Sequence, residues 1–164
     1  MLLLLALALA ADGGVDARNW RDHPQIVAVR TVVQEVDAGL KDKAWSKKEK
    51  DSPCAGLAAN GTLWSDAQHR NRRYQASFGS GDSAYTVTAT YDEKGTLRFV
   101  LVKAGAVNES SIEQRTWFDE SGAVLWQRDD ALKGAGYTWW RYDPKSKRLA
   151  DPAKAFAAGA CLWE

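Results

Sequence analysis

The sequence predicts an α+β domain, with one long N-terminal helix packed on a twisted antiparallel β-meander of about 6–7 strands. Three observations carry that expectation. Ile26, Val29, Val33, Val36 and Leu40 follow at alternating spacings of 3 and 4, the stripe of an amphipathic helix. From Thr62 onward the apolar period changes to two, the signature of strands with one buried face. A turn motif of aromatic, Asp, two further residues, Gly and then an apolar residue recurs along those strands.

The first segment is Leu2 to Ala11, an unbroken apolar run in which Ala8-Leu9-Ala10 has the small-x-small form of a cleavage site. Residues 1–11 are therefore expected to be a cleaved signal peptide, and the product to be periplasmic or secreted. No Lys or Arg precedes the run, the one leader feature it lacks. Ten residues are too few to span a bilayer, and no cysteine follows to take a lipid anchor. Residues 12–22 read as a flexible mature N-terminus, and 23–164 as a single domain.

The helix is expected to begin near Asp22-His23-Pro24, where proline suits the first turn, and to reach about Trp45. Ser46-Lys47-Lys48-Glu49-Lys50 then reads as its lysine-rich end, since cations suit a helix C-terminus. Asp51-Ser52-Pro53 breaks the chain before Cys54. In the strand region, Tyr74, Ala76 and Phe78 alternate with polar neighbours. Gly79-Ser80-Gly81-Asp82 is a turn, after which Tyr85, Val87, Ala89 and Tyr91 share one face and Thr86, Thr88 and Thr90 the other. Leu97, Phe99 and Leu101 continue the alternation after a second turn, and Ser111 to Phe118, Ala123 to Arg128 and Tyr137 to Tyr142 read as further strands. Asp151-Pro152 caps a short helix that Gly159 closes.

Tyr91-Asp92-Glu93-Lys94-Gly95-Thr96-Leu97 recurs 27 positions later as Phe118-Asp119-Glu120-Ser121-Gly122-Ala123-Val124. Tyr142-Asp143-Pro144-Lys145-Ser146-Lys147-Arg148-Leu149 is a third copy that lacks the glycine. Each reads as a tight hairpin in which Asp bonds the turn backbone and Gly takes the positive-φ position. The helix is the one long apolar stripe available to cover such a sheet. Cys54 and Cys161, 107 positions apart, form an even pair behind an apolar leader and are expected to be disulfide-bonded.

The order of leader, helix, lysine-rich segment before a cysteine, and strands bearing Tyr91-Asp92-Glu93-Lys94-Gly95-Thr96-Leu97-Arg98-Phe99-Val100 resembles a group of exported bacterial proteins of uncharacterised function. Trp117 to Trp126 carries the second copy of that signature, and the resemblance covers roughly residues 24–128. It implies this architecture and export, and brings no activity and no site residues.

Composition narrows the function. Lys plus Arg number 22 against 21 for Asp plus Glu, so no global field draws nucleic acid. The basic runs Lys41–Lys50 and Arg70-Asn71-Arg72-Arg73 read as solvated surface. The chain has two histidines. Asp66 and His69 stand at i, i+3, too few groups for zinc, and no cofactor or metal is expected. Ser80 lies between glycines in what reads as a turn, and the pairs Asp92/Glu93 and Asp119/Glu120 occupy equivalent turn positions. No catalytic residue is therefore nominated. The aromatic group Tyr137, Trp139, Trp140 and Tyr142 stands out instead, with Trp139, Trp140 and Tyr142 the candidate binding residues. The sequence thus points to a monomeric, non-enzymatic module that binds an envelope protein, peptide or glycan, without a stable membrane span. The alternatives are a small envelope hydrolase centred on His69 or a carboxylate, or an enzyme inhibitor.

Overall fold

The computed structural model describes residues 13–42, 45–52, 54, 56–134 and 136–162. The expected leader, 1–11, lies outside these. Helix α1 spans Pro24–Lys41. Seven antiparallel strands follow in simple sequence order: β1 Ser46–Asp51, β2 Ala58–Ser65, β3 Asn71–Gly79, β4 Ser83–Tyr91, β5 Leu97–Ala106, β6 Ser111–Phe118 and β7 Val124–Lys133. The chain closes with a 3-10 turn, Lys147–Leu149, and helix α2, Pro152–Ala158. The fold is therefore the α+β meander that the period change and the turn motif predict.

Two boundaries differ from expectation. The helix stops at Lys41, and Ser46–Asp51, read as its lysine-rich end, is instead the edge strand β1. All six β1 side chains are exposed, so no apolar alternation marks it as a strand. Lysines along an open edge discourage pairing with another chain. Residues 137–142 form no strand; they cross the sheet as an extended strap. Residues 13–22, expected to be flexible, form turns that seat Trp20 against Trp117, ring centroids 5.6 Å apart.

The front face of the sheet carries the larger core, including Leu63, Tyr74, Ala76, Phe78, Val87, Ala89, Tyr91, Val100, Val102 and Phe118. Large residues face small ones across the ladder: Tyr74 opposes Ala89, and Ala76 opposes Val87. Gly61 leaves room for the Tyr74 ring, which a β-carbon there would meet at 3.2 Å. The helix does not cover this face. It lies on the back, where Ile26 and Val29 pack with Trp117, Phe99 and Trp126. Burying Ile26 and Val29 contributes about 1.5–3 kcal/mol each to docking α1.

The turns explain why the meander is regular. Asp92 Oδ1 accepts from the backbone N–H of Lys94 and Thr96, and Gly95 N–H donates to the Asp92 carbonyl with Gly95 at φ 80°. Asp119 repeats this with Ser121, Ala123 and Gly122. Asp66 does the same with Gln68, Arg70 and His69, so the 66–70 turn is a further copy. It is hidden in the sequence because His69, at φ 61°, stands where the first two copies have Gly95 and Gly122. Six positions beyond each aspartate the ladder skips one residue of the returning strand: Arg72, Arg98 and Leu125. Arg72 Nε donates to the Tyr91 carbonyl and its Nη1 to Asp66; Arg98 Nε donates to the Phe118 carbonyl and its Nη1 to Asp92. Each arginine thus ties its own turn to the start of the next. Leu125 packs instead toward Ile26 and Val29 under α1.

Two expectations follow. His69→Gly removes the strain of a left-handed non-glycine residue and raises stability by about 0.5–1 kcal/mol, read as a gain of roughly 2 °C in thermal midpoint. A fall in midpoint would show that the imidazole itself contributes. Acid should loosen the turns. Burial pushes the Asp66 carboxyl up, but the Arg70 backbone N–H, its guanidinium and the Gln68 N–H outweigh this and hold it below its ordinary value. At Asp119, burial is likewise outweighed by the Ser121 hydroxyl, the Ala123 and Ser121 N–H groups and the Arg98 charge. The folded state then binds these protons more weakly than the unfolded chain. Stability is full above roughly pH 4 and falls as pH drops below it, which urea melts between pH 7 and 3 will show as a declining midpoint. A flat midpoint over that range would contradict this account.

Candidate functional site

The front face is closed by the C-terminal segment, which contributes no strand to the sheet. Its backbone polar groups are satisfied by side chains rising from the strands. The Tyr85 hydroxyl accepts from Trp140 N–H, and Gln114 Oε1 accepts from Tyr142 N–H. Gln127 Nε2 donates to the Tyr142 carbonyl, the Tyr91 hydroxyl to Leu149 at 2.7 Å, and the Tyr74 hydroxyl to Gly159. Burial pushes the phenol of Tyr74 up to about 12 and that of Tyr91 well above its ordinary value, so both remain protonated donors at neutral pH. Asp151 caps α2 by accepting from Ala153 and Lys154 N–H, and Gly159 ends it, both as expected. The Cys54–Cys161 disulfide fastens the end of the segment to the start of β2.

This closure decides which aromatic side chains reach solvent. Trp139 and Tyr142 are each only 5 % exposed. Trp139 stacks on Tyr137, centroids 5.1 Å apart, and meets the edge of Tyr85 at 5.5 Å. Tyr142 packs edge-on to Phe118 at 6.5 Å. Trp140 is half-buried and walls an open groove of about 230 Å³. Its ring stands edge-on to Phe78 at 6.1 Å, and Phe78 stacks on Tyr85 at 4.8 Å. Leu57 completes the apolar lining, and the hydroxyls of Ser80 and Ser83 line the groove at the β3–β4 hairpin. Gly79 lets the hairpin close there: a β-carbon would lie 2.6 Å from the Ser83 carbonyl.

The Asp82 carboxylate stands in the same hairpin. It accepts from the Ser80 hydroxyl and, at 2.9 Å, from the Tyr137 hydroxyl. The Ser80 and Tyr137 hydroxyls hold its carboxyl below the usual range, so it is ionised at neutral pH. The three nominated aromatics therefore divide. Trp140 faces the groove, Trp139 is walled in by Tyr85 and Tyr137, and Tyr142 lines two further hollows along the strap. Phe78, Tyr85, Ser80 and Ser83 are groove residues that the sequence offers only as core alternation and as a turn.

Other candidates are placed elsewhere. His69 is exposed at its turn, and both Asp66 oxygens are engaged by Gln68, Arg70 and Arg72. Ser80 has no histidine among the groove residues. No group of three metal-ligating side chains occurs among the described residues. Arg70, Arg72 and Arg73 are paired with Asp66, Glu93 and Asp37. A second groove of about 340 Å³ lies between α1 and the back face, lined by Trp20, Arg30, Val33, Gln34, Phe99, Arg115 and Trp117. Its cations are committed: Arg30 lies over the Trp20 ring, and Arg115 pairs with Glu113 and Asp130.

No described helix is long and apolar enough to cross a membrane. Comparison with known protein families, with curated proteins and with solved structures gives no match to this chain.

Proposed function

We propose that this protein is an exported, non-enzymatic binding module of the cell envelope that takes a glycan chain in the groove beside Trp140. The observation that carries this reading is the half-buried indole of Trp140 standing over a groove that has aromatic walls and a hydroxyl-lined end. Sugar rings offer flat C–H faces that pack on aromatic surfaces, and hydroxyls that bond polar side chains. Ser80 and Ser83 supply acceptors and donors of that kind. The apolar leader and the disulfide both support export.

In the hydrolase alternative centred on His69, that residue would have to stand at the groove, and with Asp66 it forms a structural turn elsewhere. The test is a tryptophan-fluorescence titration of the mature protein with a soluble β-1,4-linked N-acetylglucosamine oligomer. Saturable binding is expected, and Trp140→Ala should weaken it by about tenfold, roughly 1.4 kcal/mol. Absence of saturation with the unaltered protein, or equal affinity in the variant, would overturn the reading.

A further inference from the structure

We infer that the glycan is an extended acidic strand rather than a short neutral sugar; this rests on the reading of the Trp140 groove above. The groove is the first of three hollows that follow the strap. The second, of about 210 Å³, shares Trp140 as a wall. The third, of about 300 Å³, shares Tyr142 and Ser146 with the second. The first lies at the β3–β4 hairpin and the third at the turns after β4 and β6, so the series runs the length of β4, roughly 30 Å at the usual rise per residue. A single sugar fills one hollow; a linear polymer contacts all three.

The character of the hollows changes along that path. The first is walled by aromatic and aliphatic side chains. The third is lined by Lys94 and Lys147 and by the hydroxyls of Thr96, Ser121 and Ser146, with no carboxylate among its lining residues. Of the aspartates in the three neighbouring turns, Asp92 and Asp119 are half-buried, whereas Asp143 is exposed and lines the second hollow with Arg141 and Arg148. Asp92 and Asp119 hold their own backbone N–H groups, Asp92 also holds Arg98, and Asp143 holds Lys145 N–H. Both lysines stand exposed at the rim. A lining with two ammonium groups and no carboxylate suits a carboxylate carried on the strand.

The experiment compares two soluble strands of equal length by calorimetry: a neutral β-1,4-linked N-acetylglucosamine oligomer and its lactyl-carboxylate-bearing counterpart. The mature protein is expected to bind the carboxylated strand about tenfold more tightly at low salt, and Lys94→Gln with Lys147→Gln to remove that advantage. Both lysines are exposed, so the double variant should fold with the same thermal midpoint. Equal affinity for the two strands, or an advantage that survives the double variant, would overturn the inference while leaving the Trp140 groove intact. Failure of both strands to bind the unaltered protein would remove the groove reading itself.

Discussion

Replacing Cys54 and Cys161 together with serine is expected to lower stability by about 4–5 kcal/mol, the loop-closure entropy of so long a cross-link. The pair closes a loop of sequence separation 107. For a chain of this size that loss lowers the thermal midpoint by roughly 10–15 °C. The effect should be uneven across the fold. The meander keeps its ladder hydrogen bonds without the disulfide, whereas the C-terminal segment depends on a handful of side-chain bonds from Tyr74, Tyr85, Tyr91, Gln114 and Gln127. Each of those contributes about 1 kcal/mol net. Under reducing conditions, hydrogen exchange at 140–162 should therefore accelerate before exchange in β3–β6. A midpoint within about 2 °C of the unaltered protein, or uniform acceleration, would show that packing alone holds the segment.

Arg98→Ala should cost about 3 kcal/mol, more than an ordinary surface change. The guanidinium is 5 % exposed as a residue, and it ties the Asp92 turn to the Phe118 carbonyl at the start of the next. Truncation leaves a buried carbonyl unpaired and a half-buried carboxylate without its cation. The Asp92 turn should survive, because the Lys94 and Thr96 N–H groups still hold it. Urea unfolding of Arg98→Ala and Arg72→Ala checks the repeat logic: both should fall by similar amounts. A loss below about 0.5 kcal/mol in both would mean the bulges are held by the ladder alone.

The parts of the fold that were legible in the sequence are those with a local physical signature. The Asp-x-x-Gly turns were readable because their hydrogen bonds lie within the motif itself. The turn at Asp66 was not, because His69 takes the positive-φ position without being glycine. Strand β1 was missed because both of its faces are wet, which removes the alternation by which strands are recognised. The strap at 137–142 resembled a strand because its aromatics are dense, but its partners are side chains far away in sequence. The same long-range contacts decide the fate of the nominated aromatics. Nothing local distinguishes Trp139 from Trp140; Tyr85 and Tyr137 bury the first, and Phe78 and Leu57 leave the second over a groove. The helix likewise shows its apolar stripe but not the face it covers, since Phe99 sits on the back only because the ladder skips Arg98.

The most direct test of the binding reading is chemical-shift mapping of the mature protein titrated with a β-1,4-linked N-acetylglucosamine strand. The account predicts that the largest changes fall on the Trp140 indole N–H and on the amides of Gly79, Ser80 and Ser83, with Trp20 and Trp117 on the opposite face unmoved. Changes centred on Trp20, Arg30 and Trp117, or none at Trp140, would contradict it.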